Sequence, residues 1–204
     1  TKLWDAADAR QIATVAAGRS HDSRACNLAF APDGGSLITS GVRHQTLGIW
    51  SLTGQPLALF PADGRIDHVV YSPDGALLAR ASDHGAVAVW DLASQQRRHT
   101  LAVIGRKKAT AVAFSPDGKT IAAAGQFGIV KLFDVESGRE VNTLQRFELA
   151  VDYVQSVVFS PDGRKLATAN SEGLVRIWSV ATNRLEVSLI GHTDPVWSLA
   201  CLGE

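Results

Sequence analysis

Apolar residues in this chain come in short runs, never in long ones, and polar turns separate them. Residues 154–190 show the pattern. VQSVVF (154–159) is apolar and β-branched, SPDG turns the chain, and KLATA (165–169) returns. NSEG is a second turn, LVRIWSV (174–180) a third run, and RLEVSLI (184–190) alternates polar with apolar. Runs of this length, β-branched content and turn chemistry predict four short strands. In the turn, Pro presets φ and Gly accepts a positive one. The alternation in 184–190 predicts a half-exposed edge strand. No segment between these runs resembles a helix.

The unit recurs. APDG stands at 31–34 and SPDG at 72–75, 115–118 and 160–163, so the steps are 41, 43 and 45 residues. An aromatic follows each turn: Trp50 lies 16 residues after Gly34, and Trp90, Phe133 and Trp178 each lie 15 after their turn Gly. With Trp4 included, the aromatic steps are 46, 40, 43 and 45. Four strands per unit at a period of about 40–45 predict a β-propeller. The fold class is therefore all-β, built of four-stranded antiparallel blades, with about four complete and a partial one at each end. The register places blades at 23–60, 65–104, 108–148 and 152–190. Residues 1–17 read as the end of a preceding blade and 191–204 as the start of another. The chain has no Met and opens on TKLWD, inside a strand, so a piece of a longer polypeptide is expected.

The chain resembles WD40-repeat proteins over essentially its whole length. The resemblance rests on Trp4-Asp5, Trp90-Asp91 and Phe133-Asp134, on the variants Trp50-Ser51 and Trp178-Ser179, and on GHTDPVWSLA at 191–200. Four such motifs in register make a strong match. It implies a structural hydrogen-bonded network joining a His before the first strand, a Ser or Thr on the second, an Asp in the next turn and the Trp. His21 and His192 match the His. The Asp position holds His44, His84, Phe127 and Glu172, so the network is expected to be interrupted in every complete blade. Apolar packing and strand pairing must then carry stability. Trp50, Trp90, Phe133 and Trp178 take structural roles on this reading, as do the turn residues Asp33, Asp74, Asp117 and Asp162.

Composition narrows the chemistry. Hydrophobic residues make up 46% and charged residues 20%, as in soluble globular domains. Lys plus Arg and Asp plus Glu are 20 each, so no global charge draws the chain to nucleic acid. No apolar run approaches the roughly 18 residues that span a membrane, and the N-terminus has no basic-then-apolar order of a signal peptide. A cytoplasmic protein is expected, with no nucleic-acid or membrane partner. Cys26 and Cys201 match no metal or disulfide spacing and read as small buried apolar residues.

No G-x-S-x-G, G-x-x-x-x-G-K-[ST] or H-E-x-x-H occurs. His21, Asp22 and Ser23 are adjacent, but a triad is assembled by geometry and not by neighbouring positions. The turn Asp residues offer one carboxylate each on different blades, too few for calcium. No catalytic residue, metal ligand or cofactor is expected. The basic stretch QQRRHTLAVIGRKK (95–108) divides in two. Arg97 and Arg98 open an outer strand, where they suppress edge pairing. Arg106, Lys107 and Lys108 lie between blades and suit an acidic or phosphorylated partner.

Recognition, not reaction, is the expected role: a protein-interaction scaffold whose loops dock a protein or peptide. The family's usual binding face would carry Arg24, Arg43, His44, Arg65 and His84, followed by Lys107, Lys108, Phe127, Tyr153 and Glu172. Phe127 is notable as an aromatic in a turn. The remaining blades of the parent chain are expected partners too. The alternative is a regulatory propeller, as SPDG-rich arrays in large bacterial regulatory proteins resemble, with a kinase or nucleotide-hydrolysing site outside this segment.

Overall fold

A computed structural model describes residues 1–15, 25–41, 46–61, 64–105, 107–145 and 153–201. Among them there is no helix. A hairpin of β1 (Lys2–Trp4) and β2 (Gln11–Thr14) comes first. Four antiparallel four-stranded sheets follow, each in chain order. The first complete sheet holds β3 (Ala25–Phe30), β4 (Ser36–Gly41), β5 (Thr46–Ser51) and β6 (Pro56–Pro61). The second holds β7 (Ile66–Tyr71), β8 (Leu77–Ser82), β9 (Ala86–Asp91) and β10 (Gln96–Ala102). The third holds β11 (Ala109–Phe114), β12 (Thr120–Gly125), β13 (Val130–Asp134) and β14 (Glu140–Gln145). The fourth holds β15 (Val154–Phe159), β16 (Lys165–Asn170), β17 (Val175–Ser179) and β18 (Leu185–Leu189). The first strands pack side by side, β3 on β7, β7 on β11 and β11 on β15. The sheets thus fan out as the blades of a β-propeller segment.

The hydrophobic core lies between sheets. Ile38, Leu47 and Phe60 of the first sheet meet Ile66, Leu78 and Trp90 of the second. Leu77, Val89 and Leu101 of the second meet Val112, Ile121 and Phe133 of the third. Ala122, Val130 and Leu132 of the third meet Val157, Leu166 and Trp178 of the fourth. A middle sheet is covered on both faces, which is why LLARAS in β8 is buried at every position. Sheets stacked this closely need small residues, and β12 supplies Ala122, Ala123 and Ala124, all fully buried.

The SPDG turns do more than reverse the chain. Gly34, Gly75, Gly118 and Gly163 take φ of 69–71°, the left-handed region. Ser72, Ser115 and Ser160 donate their hydroxyls to the carboxylates of Asp74, Asp117 and Asp162 at 2.5–2.6 Å. The same hydroxyls accept the backbone N–H of Leu77, Thr120 and Lys165. These bonds hold the three carboxyls below the usual carboxylate range, the Ser hydroxyl contributing most. Successive turns also touch. A Cβ on Gly75, Gly118 or Gly163 would lie 3.7, 3.9 or 3.5 Å from the proline Cδ of the turn before it.

β18 is the outer strand of its sheet, and its apolar Leu185, Val187 and Leu189 are 45%, 41% and 50% exposed, as the alternating pattern of a half-exposed edge strand predicts. One expectation is corrected. Cys201 is exposed with a free thiol; it follows β18 on the stretch 190–201, which forms no strand. The Cys26 side chain lies outside the described residues. β3 is less covered than its counterparts. Leu28 and Phe30 are 55% and 64% exposed, whereas their counterparts Val112 and Phe114 are 0% and 9%. The hairpin beside β3 has two strands where a complete sheet has four.

Candidate functional site

The second, third and fourth sheets present, opposite their SPDG turns, the turn between their second and third strands. In all three this turn is locked to the residue entering the first strand. Arg65 N–H donates to Asp83 Oδ1 at 3.1 Å, and its carbonyl accepts Asp83 N–H at 3.2 Å. Lys108 exchanges the same pair of bonds with Gln126 at 2.8 and 3.0 Å. Tyr153 does so with Ser171 at 3.1 and 2.9 Å. The next turn residues are His84, Phe127 and Glu172. Arg65, His84, Lys108, Phe127, Tyr153 and Glu172 therefore share one edge of the molecule, two per sheet. Arg24, Arg43, His44 and the structural His21 lie outside the described residues, as do Asp22, Ser23 and Arg106.

The third sheet carries the most distinctive of these turns. Phe127 and Gly128 both have positive φ, 59° and 63°. That is the backbone of a type I′ turn, which favours Asn-Gly and is strained with a bulky residue. Lys107 Nζ stands 5.7 Å from the Phe127 ring centroid, within cation–π range. Gln126 Nε2 donates to the Tyr153 hydroxyl at 2.7 Å, tying the third sheet to the fourth. The glycine after the variable position is tightly enclosed. A Cβ on Gly85 would lie 2.0 Å from the Ile104 carbonyl, and one on Gly173 would lie 2.5 Å from that of His192. The His192 side chain itself is exposed.

Sequence reasoning missed the polar groups on the first strands. The pairing of each first strand slips by one residue near its start, a β-bulge present in all four sheets. Side chains at or beside the bulge reach the backbone of the next sheet or, in the fourth sheet, of the segment after β18. Asn27 Nδ2 donates to the Asp67 carbonyl at 2.7 Å. His68 Nδ1 lies 3.1 Å from the Val112 carbonyl. Thr110 Oγ1 donates to the Val154 carbonyl, and Ser156 Oγ accepts Leu199 N–H at 3.1 Å. Burial pushes His68 below its usual range, against the hydrogen bond to the Val112 carbonyl. Asp67 pairs with Arg65 at 2.8 Å through one oxygen, while the other is buried without a hydrogen bond. Burial pushes its carboxyl up, against the opposing pull of Arg65 and Lys108. The signal was there to read: polar residues four or five places before each turn motif, inside an otherwise apolar run.

The repeat tryptophans show which part of the network persists. Trp50 Nε1 donates to Thr39 Oγ1 at 2.9 Å and Trp178 Nε1 to Thr168 Oγ1 at 3.1 Å. In the third sheet the pair is Phe133 with Ala123, apolar on both sides. In the second, the Thr position holds buried Arg80, and Trp90 Nε1 is buried with no acceptor among the described residues. Arg97 covers the Trp90 ring at 5.1 Å, and Arg98 pairs with Glu136 of the third sheet at 2.8 Å. No group of three or more metal-ligating side chains converges among the described residues.

A family model described as the nucleolar protein 10-like N-terminal domain, a β-propeller, matches residues 11–200. The chain belongs to this family. A WD-repeat protein is similar as well: WD repeat and SOCS box-containing protein 1 of Xenopus tropicalis, 28% identical over 94 residues. That match covers 45% of this chain and 22% of the relative, so the aligned part spans about a fifth of that protein. Family membership and blade geometry agree on a WD-repeat propeller, a fold that generally serves as a protein-interaction scaffold.

Proposed function

We propose that this chain docks a protein segment rich in acidic or phosphorylated residues on the edge opposite its SPDG turns. Phe127 carries the reading. A bulky aromatic in a left-handed turn is strained, and strain of this kind clusters at functional sites. Lys107 beside the ring, with Lys108 and Arg65 on the same edge, adds positive charge. The edge thus offers a half-buried aromatic with a lysine beside it and further basic residues on the same edge, which suits a segment whose acidic groups flank an apolar residue. No reaction is part of the proposal.

A peptide array carrying acidic and phosphorylated sequences, with neutral counterparts, tests it. Lys107→Glu with Lys108→Glu is expected to weaken binding of the charged peptides at least tenfold, with an unchanged melting temperature. Raised salt is expected to weaken binding of the parent chain too. A melting temperature that falls together with binding would make both lysines structural and defeat the proposal.

A further inference from the structure

The opposite edge holds a second feature, independent of the docking reading above. Between the SPDG-type turns of the first and second complete sheets lies a cleft of about 200 Å³. Drug-sized ligands take about 300–1,000 Å³, so this one has room for a single long side chain. Pro32, Ile49 and Leu92 give it apolar walls, and Asp33 and Asp74 line it as well. Tyr71 lines it too, and the phenol oxygen is buried with no hydrogen-bond partner of good geometry among the described residues. Burial raises the phenol above its usual range, Ser36 opposes the rise, and the Asp33 charge adds to it. The Asp33 and Asp74 carboxylates on its walls make the cleft acidic.

Sequence differences between repeats make this cleft unlike its equivalent. A second cleft of about 420 Å³ lies between the same turns of the third and fourth sheets, lined by Asp117 and Asp162. There, the residue after each turn glycine is Lys119 or Arg164, and Arg164 stands 3.9 Å from Asp162. At the first cleft those positions are Gly35 and Ala76, so its carboxylates have no basic neighbour within the turn. The aromatic before the turn is Phe in the other three repeats, and only Tyr71 brings a hydroxyl.

We propose that this cleft binds a lysine or arginine side chain of a partner protein, the stem against Pro32, Ile49 and Leu92 and the cation among Asp33, Asp74 and the Tyr71 hydroxyl. Long basic side chains lay their apolar stems along such walls and keep the charge at the polar end. The phenol oxygen has lone pairs to accept from an ammonium or guanidinium.

The test is a titration of the ¹⁵N-labelled 204-residue chain with three small probes, followed by amide shifts. The probes are Nα-acetyl-lysine methylamide, its arginine analogue and the uncharged norleucine analogue. The basic probes are expected to shift amides of residues 33–36 and 72–76 saturably, and norleucine to leave them in place. Tyr71→Phe, which installs the residue the other repeats already hold, is expected to weaken binding about threefold. Ala76→Arg, which copies the fourth repeat, is expected to abolish it. The proposal is overturned if norleucine binds equally, or if shifts of equal size appear around Asp117 and Asp162. Binding that survives Ala76→Arg would overturn it as well.

Discussion

The two edges of the propeller segment obey different rules. On the SPDG edge, each turn repeats the same left-handed glycine, the same carboxylate bond to the backbone and, in three of four repeats, the same Ser hydroxyl relay. On the opposite edge, the backbone is held by the same pair of bonds, yet the residue that follows changes from exposed His84 to half-buried Phe127 to exposed Glu172. Repetition marks what every blade needs in order to stack. In the proposed function, the variation on the opposite edge is what recognises a partner. The comparison also separates two kinds of glycine. Gly75 needs freedom of φ, whereas Gly85 needs both that freedom and the absence of a Cβ.

The largest expected effect tests that last distinction. Gly85 and Gly75 have φ of 79° and 71°, so alanine suffers the same backbone penalty at either. At Gly85 the new Cβ would meet three carbonyl oxygens at 2.0–2.4 Å, whereas at Gly75 the nearest atom is 3.7 Å away. Gly85→Ala is expected to cost about 3 kcal/mol or more in denaturant unfolding, and Gly75→Ala about 1–2 kcal/mol. Equal costs would show that φ alone matters on both edges.

The next effect concerns the repeat aromatics. Trp178→Phe leaves the buried Thr168 hydroxyl without its donor and is expected to cost about 1–2 kcal/mol more than Trp90→Phe, whose indole N–H has no acceptor among the described residues. Adding Thr168→Ala to Trp178→Phe recreates the Phe133 and Ala123 pair of the third sheet and is expected to recover part of the loss. Chemical unfolding of the parent, Trp178→Phe, Thr168→Ala and the double variant closes the cycle.

How much of this was legible beforehand follows from the same contrast. The strands of residues 154–190 were readable because alternating runs and Gly-containing turns are local signals, and the structure places β15 to β18 on them. The turn edge carrying Arg65, Lys108 and Tyr153 could be assembled from repeat register alone. What stayed hidden depends on neighbours. Asn27 and His68 look like stray polar residues until the next sheet's backbone arrives to bond them, and Ser156 does so until the segment after β18 supplies Leu199 N–H. The surviving Trp–Thr pairs depend on the register between neighbouring strands, which the Thr positions do not show by themselves. Exposure of Cys201 reflects what lies beside it, which its own sequence position does not encode.

A smaller effect probes the repeated edge. Ser72→Ala copies Ala31 of the first repeat and is expected to cost about 1 kcal/mol, by removing a buried hydroxyl that serves both Leu77 and Asp74. It also changes the pH response. Asp74 titrates below its unfolded value, so its contribution is full above about pH 4 and is lost as pH falls through the folded value. The variant is expected to flatten that acid limb in unfolding curves taken between about pH 5 and pH 2. The carboxylate is well exposed, so the change in slope will be modest.

The smallest stability effect is expected where recognition is proposed. Phe127→Asn places Asn-Gly in a type I′ turn, its favoured sequence, and relieves the left-handed strain of the ring. It also gives up the contact with Lys107 and some packing of a half-buried ring. These terms nearly offset, leaving stability within about 1 kcal/mol of the parent, on the stabilised side. Binding of acidic peptides should fall severalfold in the same protein. A variant that gains stability while losing its ligand would show that the strain at Phe127 is held for recognition. If binding persists, the ring belongs to the scaffold and the variable edge loses its anchor.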